Sequence, residues 1–230
     1  MSGFEQTAQR PPSNTPTGPS RVIPPPPGPA THADAGMHRR RARSIGTRRI
    51  AVAGVGGGAG ATAIAAAVWT GLLERTGSRA GVADYVGGDL IARLPPSPVD
   101  AASPLLVSDL GPHAGAGHEL LSRAGDVVVV VAPFTVEGAR RGADARHAIL
   151  EARDDDGALV VLVLVETHRV SRAVAQRVAA SATGTGTAAG TGSIVFRWDD
   201  ALAQGRGIEP ERLSASTTAA LGSLLDIVVR

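Results

Sequence analysis

Lysine is missing from this chain: all 23 basic side chains are arginines. No lysine can therefore reach a bound phosphate from anywhere in the sequence. Cysteine is also missing, which excludes disulfides and thiolate metal sites and suits a reducing cytoplasm, the location expected for the protein. Aromatic residues make up 3% of the chain, so core packing falls to the aliphatics within a 43% apolar fraction. No apolar run approaches the roughly 18 residues of a membrane span. The first residues, MSGFEQTAQRPPSN, lack the apolar core of a signal peptide. Arginine alone, with abundant Ala and Gly, points to a GC-rich bacterial genome.

Charge is distributed unevenly. Residues 1–49 hold eight Arg against Glu5 and Asp34, a net of +6. Residues 50–230 hold the other fifteen Arg against nineteen acids, a net of −4. The basic character thus belongs to the N-terminal part and the remainder is mildly acidic. Residues 1–38 are rich in Pro, Ser, Thr and Gly, with Pro24–Pro27 consecutive. Such a segment buries too little apolar area to offset its ordering entropy, so residues 1–47 are expected to form a disordered Pro-rich and Arg-rich arm. Six arginines lie between Arg39 and Arg49. They read as a solvated basic linker or as an attachment to DNA, RNA or anionic lipid.

From residue 50, apolar strands alternate with helical stretches. Strands are expected over 50–54, 80–84, 105–109, 126–133, 159–166 and 193–198. Helices are expected over 61–75, 118–123, 136–152, 171–182 and 214–229, the last capped by Ser214 or Ser216. The tract 183–192 (TGTGTAAGTG) reads as a loop. The valine run 127–131 and LVVLVLVE suit strands covered on both faces. The fold class is α/β: a three-layer sandwich with a mostly parallel sheet, occupying residues 48–230, whose ligands sit at the carboxyl ends of the strands.

Residues 49–67 read RIAVAGVGGGAGATAIAAA: a short strand, a glycine-rich turn and an Ala-rich helix start. Glycines at 54, 56, 57, 58 and 60 let the backbone turn sharply and present N–H groups, and the helix dipole beyond favours an anion. This is the layout of a phosphate cradle. Ala61 stands where a phosphate loop places its lysine, and Thr62 where its hydroxyl residue ligates Mg²⁺.

The segment GVGGGAGAT resembles the deviant Walker A loop of the ParA/MinD ATPases, GKGGxGKT. Gly57, Gly58, Gly60 and Thr62 match; Val55, Gly56 and Ala61 replace the first glycine, the signature lysine and the loop lysine. VADYVGGDLIARL resembles DxDxxxGNL, with Asp84 at the second acid and Val82 at the first, the acid tied to water activation. LLVSDLGP resembles the Walker B strand, with Asp109 on the Mg²⁺ side. Glu166 and Thr167 stand where many members carry an adenine-contacting Asn. FRWDDALAQGRGIEPERLS resembles the segment flanking the base.

The resemblance implies a phosphate-loop NTPase fold binding ATP or ADP with Mg²⁺ through Gly56, Gly57, Gly58, Ala59, Gly60, Ala61, Thr62 and Asp84, with Thr62 and Asp109 at the metal. It also implies self-association as a dimer and a protein partner. Losing a charge-assisted hydrogen bond removes about 1.5–3 kcal/mol, on the order of tenfold to a hundredfold in affinity. Hydrolysis loses more, because the lysine also stabilises charge in the transition state. The expectation is a pseudo-ATPase with turnover near zero, acting as a positioning or accessory scaffold in partition, secretion or DNA transfer. Arg140 and Arg141 read as surface arginines, or as substitutes for the missing cation.

Other readings stay open. GVGGGA also matches the dinucleotide pattern G-x-G-x-x-A, with Asp84 as a ribose-binding acid. A nucleic-acid tether acting through the 39–49 arginines is a third reading. His113 and His118, with Glu119 alongside, read as loop residues rather than a metal site. The acids at 154–156 read as a solvated turn, and Asp199 and Asp200 as loop acids. Trp69 is expected to pack on the sheet.

Overall fold

The computed structural model describes residues 47–77, 79–87, 89–95, 103–114, 125–152, 159–184 and 192–229 (side chains of 179 and 181–184 excepted). The arm up to residue 46, the helix expected over 118–123, His118 and Glu119, the acids at 154–156 and residues 185–191 of the expected loop lie outside them.

Six strands form one sheet: β1 (Arg48–Gly54), β2 (Gly81–Asp84), β3 (Leu105–Asp109), β4 (Val127–Pro133), β5 (Leu159–Val165) and β6 (Ile194–Phe196). Their order is β2-β3-β1-β4-β5-β6, and every pairing is parallel. Helices α1 (Ala61–Thr76), α2 (Asp89–Arg93), α3 (Val136–Glu151), α4 (Arg172–Gly184), α5 (Asp200–Ala203) and α6 (Ala215–Val228) complete the described elements, with a 3₁₀ turn at Pro210–Arg212.

The strand runs are apolar throughout because alternate residues serve two cores. Ile50, Val52, Val127, Val129, Val131, Val161 and Val163 pack with α1 and α6. Ala51, Ala53, Val128, Val130, Ala132, Val160 and Leu162 pack with α3 and α4 on the opposite face. The result is the expected helix–sheet–helix sandwich. Gly71 lets α1 lie close to α6: a Cβ there would stand 2.7 Å from Leu225. Trp69 is fully buried in that core, and its indole N–H donates to the Ala80 carbonyl at 2.7 Å.

Helix ends follow local chemistry. Gly77 stops α1 in the left-handed region, φ 66°, its N–H returning to the Leu73 carbonyl. Ser214 caps α6, accepting from the Thr217 amide. Most boundaries lie within one or two residues of expectation, and two of the shifts have a local cause or consequence. Helix α4 continues to Gly184, two residues into the tract read as loop. Strand β6 ends at Phe196, because the Trp198 amide turns to the Glu166 carboxylate instead of continuing a ladder.

Helix α1 leads from β1 to β2 on one side of the sheet order, and α3 leads from β4 to β5 on the other. The chain thus diverges between β1 and β4, the place where a parallel sheet opens a crevice at its carboxyl edge. The start of α3 is pressed against that edge: a Cβ on Gly138 would lie 2.1 Å from the Pro133 carbonyl oxygen. Gly138→Ala is expected to force α3 off β4 and cost about 3 kcal/mol. A urea-unfolding midpoint equal to wild type would contradict this packing.

Candidate functional site

The glycine turn leaves β1 at the centre of the sheet. Its base is held by backbone bonds: Gly54 N–H to Gly111 O (2.7 Å), Val55 N–H to Val131 O (2.9 Å) and Ala114 N–H to Gly54 O (2.9 Å). Gly58 and Gly60 have φ of 73° and 90°, a region that side chains disfavour. Gly60 is the N-cap of α1 and offers no side-chain cap, so the first amides of the helix are left for another acceptor. A Cβ on Gly57 or Gly58 would meet nothing within 4 Å, whereas one on Gly60 would lie 3.3 Å from Val165. The turn is therefore seated on β5 and bare on its open side.

That open side faces a cavity of about 540 Å³, within the ordinary range for small-molecule sites. Residues 56–64 form one wall, including Gly56, Gly57, Gly58, Ala59, Gly60, Ala61 and Thr62. The structure thus brings together seven of the predicted site residues. Ala61 is 8% exposed and belongs to the α1 core, so the lysine position is a packed methyl group.

Asp84 and Asp109 do not line the cavity. Asp84 holds the loop after β2: its two oxygens accept from the Val86 and Leu90 amides, each at 2.9 Å. Asp109 closes β3 in register with Val52 of β1. It is fully buried; Oδ1 accepts from the Gly111 amide at 2.9 Å, and Oδ2 has no partner. A buried carboxylate oxygen without a donor is costly. Val82, where the sequence resemblance implies an acid, packs against the α1 core.

The far wall carries residues that the sequence did not single out as a group. Glu166 follows β5, is 9% exposed, and accepts from Arg197 and from the Trp198 amide. The Arg197 guanidinium also lies 5.0 Å from the Phe134 ring centroid. Arg93 of α2 lines the cavity and donates to the Leu202 carbonyl of α5 at 3.3 Å. The signal for Arg93, Arg197 and Trp198 was their place inside the segments DLIARL and FRWDD. Glu166 read only as a mismatch, because its partner lies 31 residues away.

The arginine pair divides. Arg140 is the expected surface arginine, bonded to Glu137 and Asp144. Arg141 is exposed as well, and it donates from Nη2 to the Val55 carbonyl at 2.6 Å. Among the described residues no cluster of three His, Asp or Glu side chains could hold a metal ion, and no helix is long and apolar enough to cross a membrane.

No family model matches the chain, and no curated protein sequence matches it. Solved structures do. A ParA family ATPase from Chlorobium tepidum TLS superposes with a TM-score of 0.56 at 13% identity, over 81% of this chain and 99% of that one. A MinC:MinD cell division protein complex from Aquifex aeolicus gives 0.52 at 12% identity, over 80% and 96%. The fold is ParA/MinD-like. At such identity the likeness concerns architecture alone.

Asp199 braces the far wall. It accepts from the Ala201 and Ser214 amides, each at 2.8 Å. Burial pushes its carboxyl up, but hydrogen bonds from Thr217, Ser214 and Ala201 outweigh that and hold it below the usual range. A lowered folded value means that the ionised group stabilises the fold above its unfolded pKa, about 3.9. That contribution is lost as pH falls through the folded value. Asp199→Asn should cost about 1 kcal/mol at neutral pH and flatten the loss of stability below about pH 4. Urea midpoints measured across pH check this, and parallel wild-type and variant curves would refute it.

Proposed function

We propose that the chain is a lysine-free nucleotide-binding protein of ParA/MinD-like fold. It holds ATP or ADP with Mg²⁺ and cleaves it little or not at all. One observation carries this reading: the bare glycine backbone opens into a cavity large enough for a nucleotide, while the place of the loop cation is the buried methyl of Ala61.

The residues present suit such a ligand. Amides of the turn and of the α1 N-terminus offer donors to phosphate oxygens. Thr62 on the cavity wall would offer Mg²⁺ its hydroxyl, and Asp109, outside that wall, would offer its unpartnered Oδ2 to the cation or its water. When bound, Mg²⁺ supplies charge neutralisation of the phosphates. Glu166, Arg197 and Trp198 on the far wall would hold the sugar and base. Hydrolysis is poorly served: Ala61 and Gly56 bring no cation, and Val82 brings no water-orienting carboxylate.

Strand order favours this over the dinucleotide reading. A Rossmann sheet places β2 beside β1, so that its closing acid meets the ribose. Here β3 lies between them, and Asp84 is committed to the loop after its own strand. A protein that binds without turnover serves as a positioning or accessory scaffold, self-associating and engaging a protein partner in a bacterial cytoplasm. The arginines of 39–49 would tether it to DNA or anionic membrane.

Calorimetric titration of the full chain with ATP, ADP and NAD, with and without Mg²⁺, tests the reading. Mg²⁺-dependent binding of adenine nucleotides is expected, weakened about tenfold by Thr62→Ala, with no binding of NAD. ATP cleavage should stay at background. NAD preference, absence of nucleotide binding or brisk turnover would each overturn the proposal. In the same assay, Ala61→Lys should tighten MgADP by roughly tenfold to a hundredfold. An unchanged affinity in a folded variant would show that position 61 does not face the phosphates.

A further inference from the structure

Arg140 and Arg141 are adjacent in α3 and do different things. Arg140 is closed into its own helix surface by Glu137 and Asp144. Arg141 crosses to the glycine turn, 86 positions earlier in the chain, and grips the Val55 carbonyl. A Cβ built on Gly56 would stand 3.6 and 3.7 Å from its Nη2 and Nη1. Any side chain at position 56 would therefore point at this guanidinium. The charge of Arg141 is already where a long cationic side chain at position 56 would begin.

Two other arginines, Arg93 and Arg197, line the cavity away from the turn, and Arg141 is outside that lining. Arg93 donates to Leu202, and Arg197 is paired with Glu166. Glu137, the acid that feels Arg141, has its carboxyl held below the usual range, first by its hydrogen bond to Arg140 and only lastly by the charge of Arg141. Arg141 thus brings a positive charge to the turn that no acid on its own helix takes up in a hydrogen bond. A guanidinium also carries five donors, of which Val55 takes one.

We propose that Arg141 is the cation of the lysine-free loop. It fixes the Val55–Gly56 end of the turn and lends it, from a different helix, the positive charge that favours a polyphosphate. This role rests on the nucleotide reading of the cavity. Arg141 acts through the loop and its field, so it is a positioning residue rather than one that touches reacting atoms.

The test separates charge from hydrogen bonding. MgADP affinity is measured by calorimetry on the full chain, at low salt and at roughly 0.5 M NaCl, where exposed charges are screened. Arg141→Gln keeps an amide donor for Val55 without the charge and should weaken MgADP about tenfold at low salt. That difference should shrink at high salt. Arg141→Lys should stay within about threefold of wild type, and Arg140→Gln should change nothing. Gly56→Lys placed in Arg141→Ala should recover most of the loss, because the new side chain enters the vacated space. Where Arg141→Gln lowers the unfolding midpoint, this double variant decides. Wild-type affinity in Arg141→Gln, a lysine variant as weak as the glutamine one, or no recovery in the double variant would overturn the role of Arg141 while leaving nucleotide binding intact. A wild-type protein that binds no MgADP would overturn both.

Discussion

The hydrogen bonds that hold β1 between β3 and β4 do not stop at its last residue. Gly54 donates to Gly111 on one side, Val55 donates to Val131 on the other, and Gly54 accepts from Ala114. The first residues of the turn are thus an extension of the sheet, not a free loop. That anchoring constrains the rest of the turn. Gly58 and Gly60 take left-handed conformations so that the chain reverses within a few residues, and α1 starts with its amides turned to the crevice. The cavity, the seat of Gly60 on Val165 and the reach of Arg141 to Val55 all presuppose a turn held at its root.

Much of this was legible because the sheet is covered on both faces. A strand buried on two sides must be apolar at every position, and the runs of β4 and β5 could scarcely be anything else. Gly77 marked the end of α1 for a similarly local reason. Strand order was less accessible: alternation of strands and helices is compatible with several orders, and only the position of β3 beside β1 separates a phosphate-loop sheet from a dinucleotide-binding one. Helices α2 and α5, five and four residues long, are too short to show a period. Arg140 and Arg141 looked equivalent in sequence. Successive helical residues lie about 100° apart, and which of the two meets the turn depends on how α3 packs on the sheet. The Glu166–Arg197 pair was invisible for the simplest reason, since its members belong to different strands' ends.

Ala61 is part of the core beneath the turn. Its methyl packs in the same core as Val82, so two positions where the resemblance implies a charge bring apolar surface. Each is compatible with folding and adds to the core. A carboxylate that would suit a cation persists nearby in Asp109, fully buried and half satisfied. What the turn offers a ligand therefore comes from backbone geometry rather than from long side chains.

The two tryptophans occupy opposite situations. Trp69 is sealed in the α1 core with its indole bonded to Ala80. Trp198 sits on the cavity wall, its indole held by Asp200. The chain holds no other tryptophan. Its intrinsic emission is accordingly the sum of a blue, shielded fluorophore that follows global unfolding and a second one that samples the crevice. The chain therefore carries one fluorophore on the crevice and an internal standard in the core beside it.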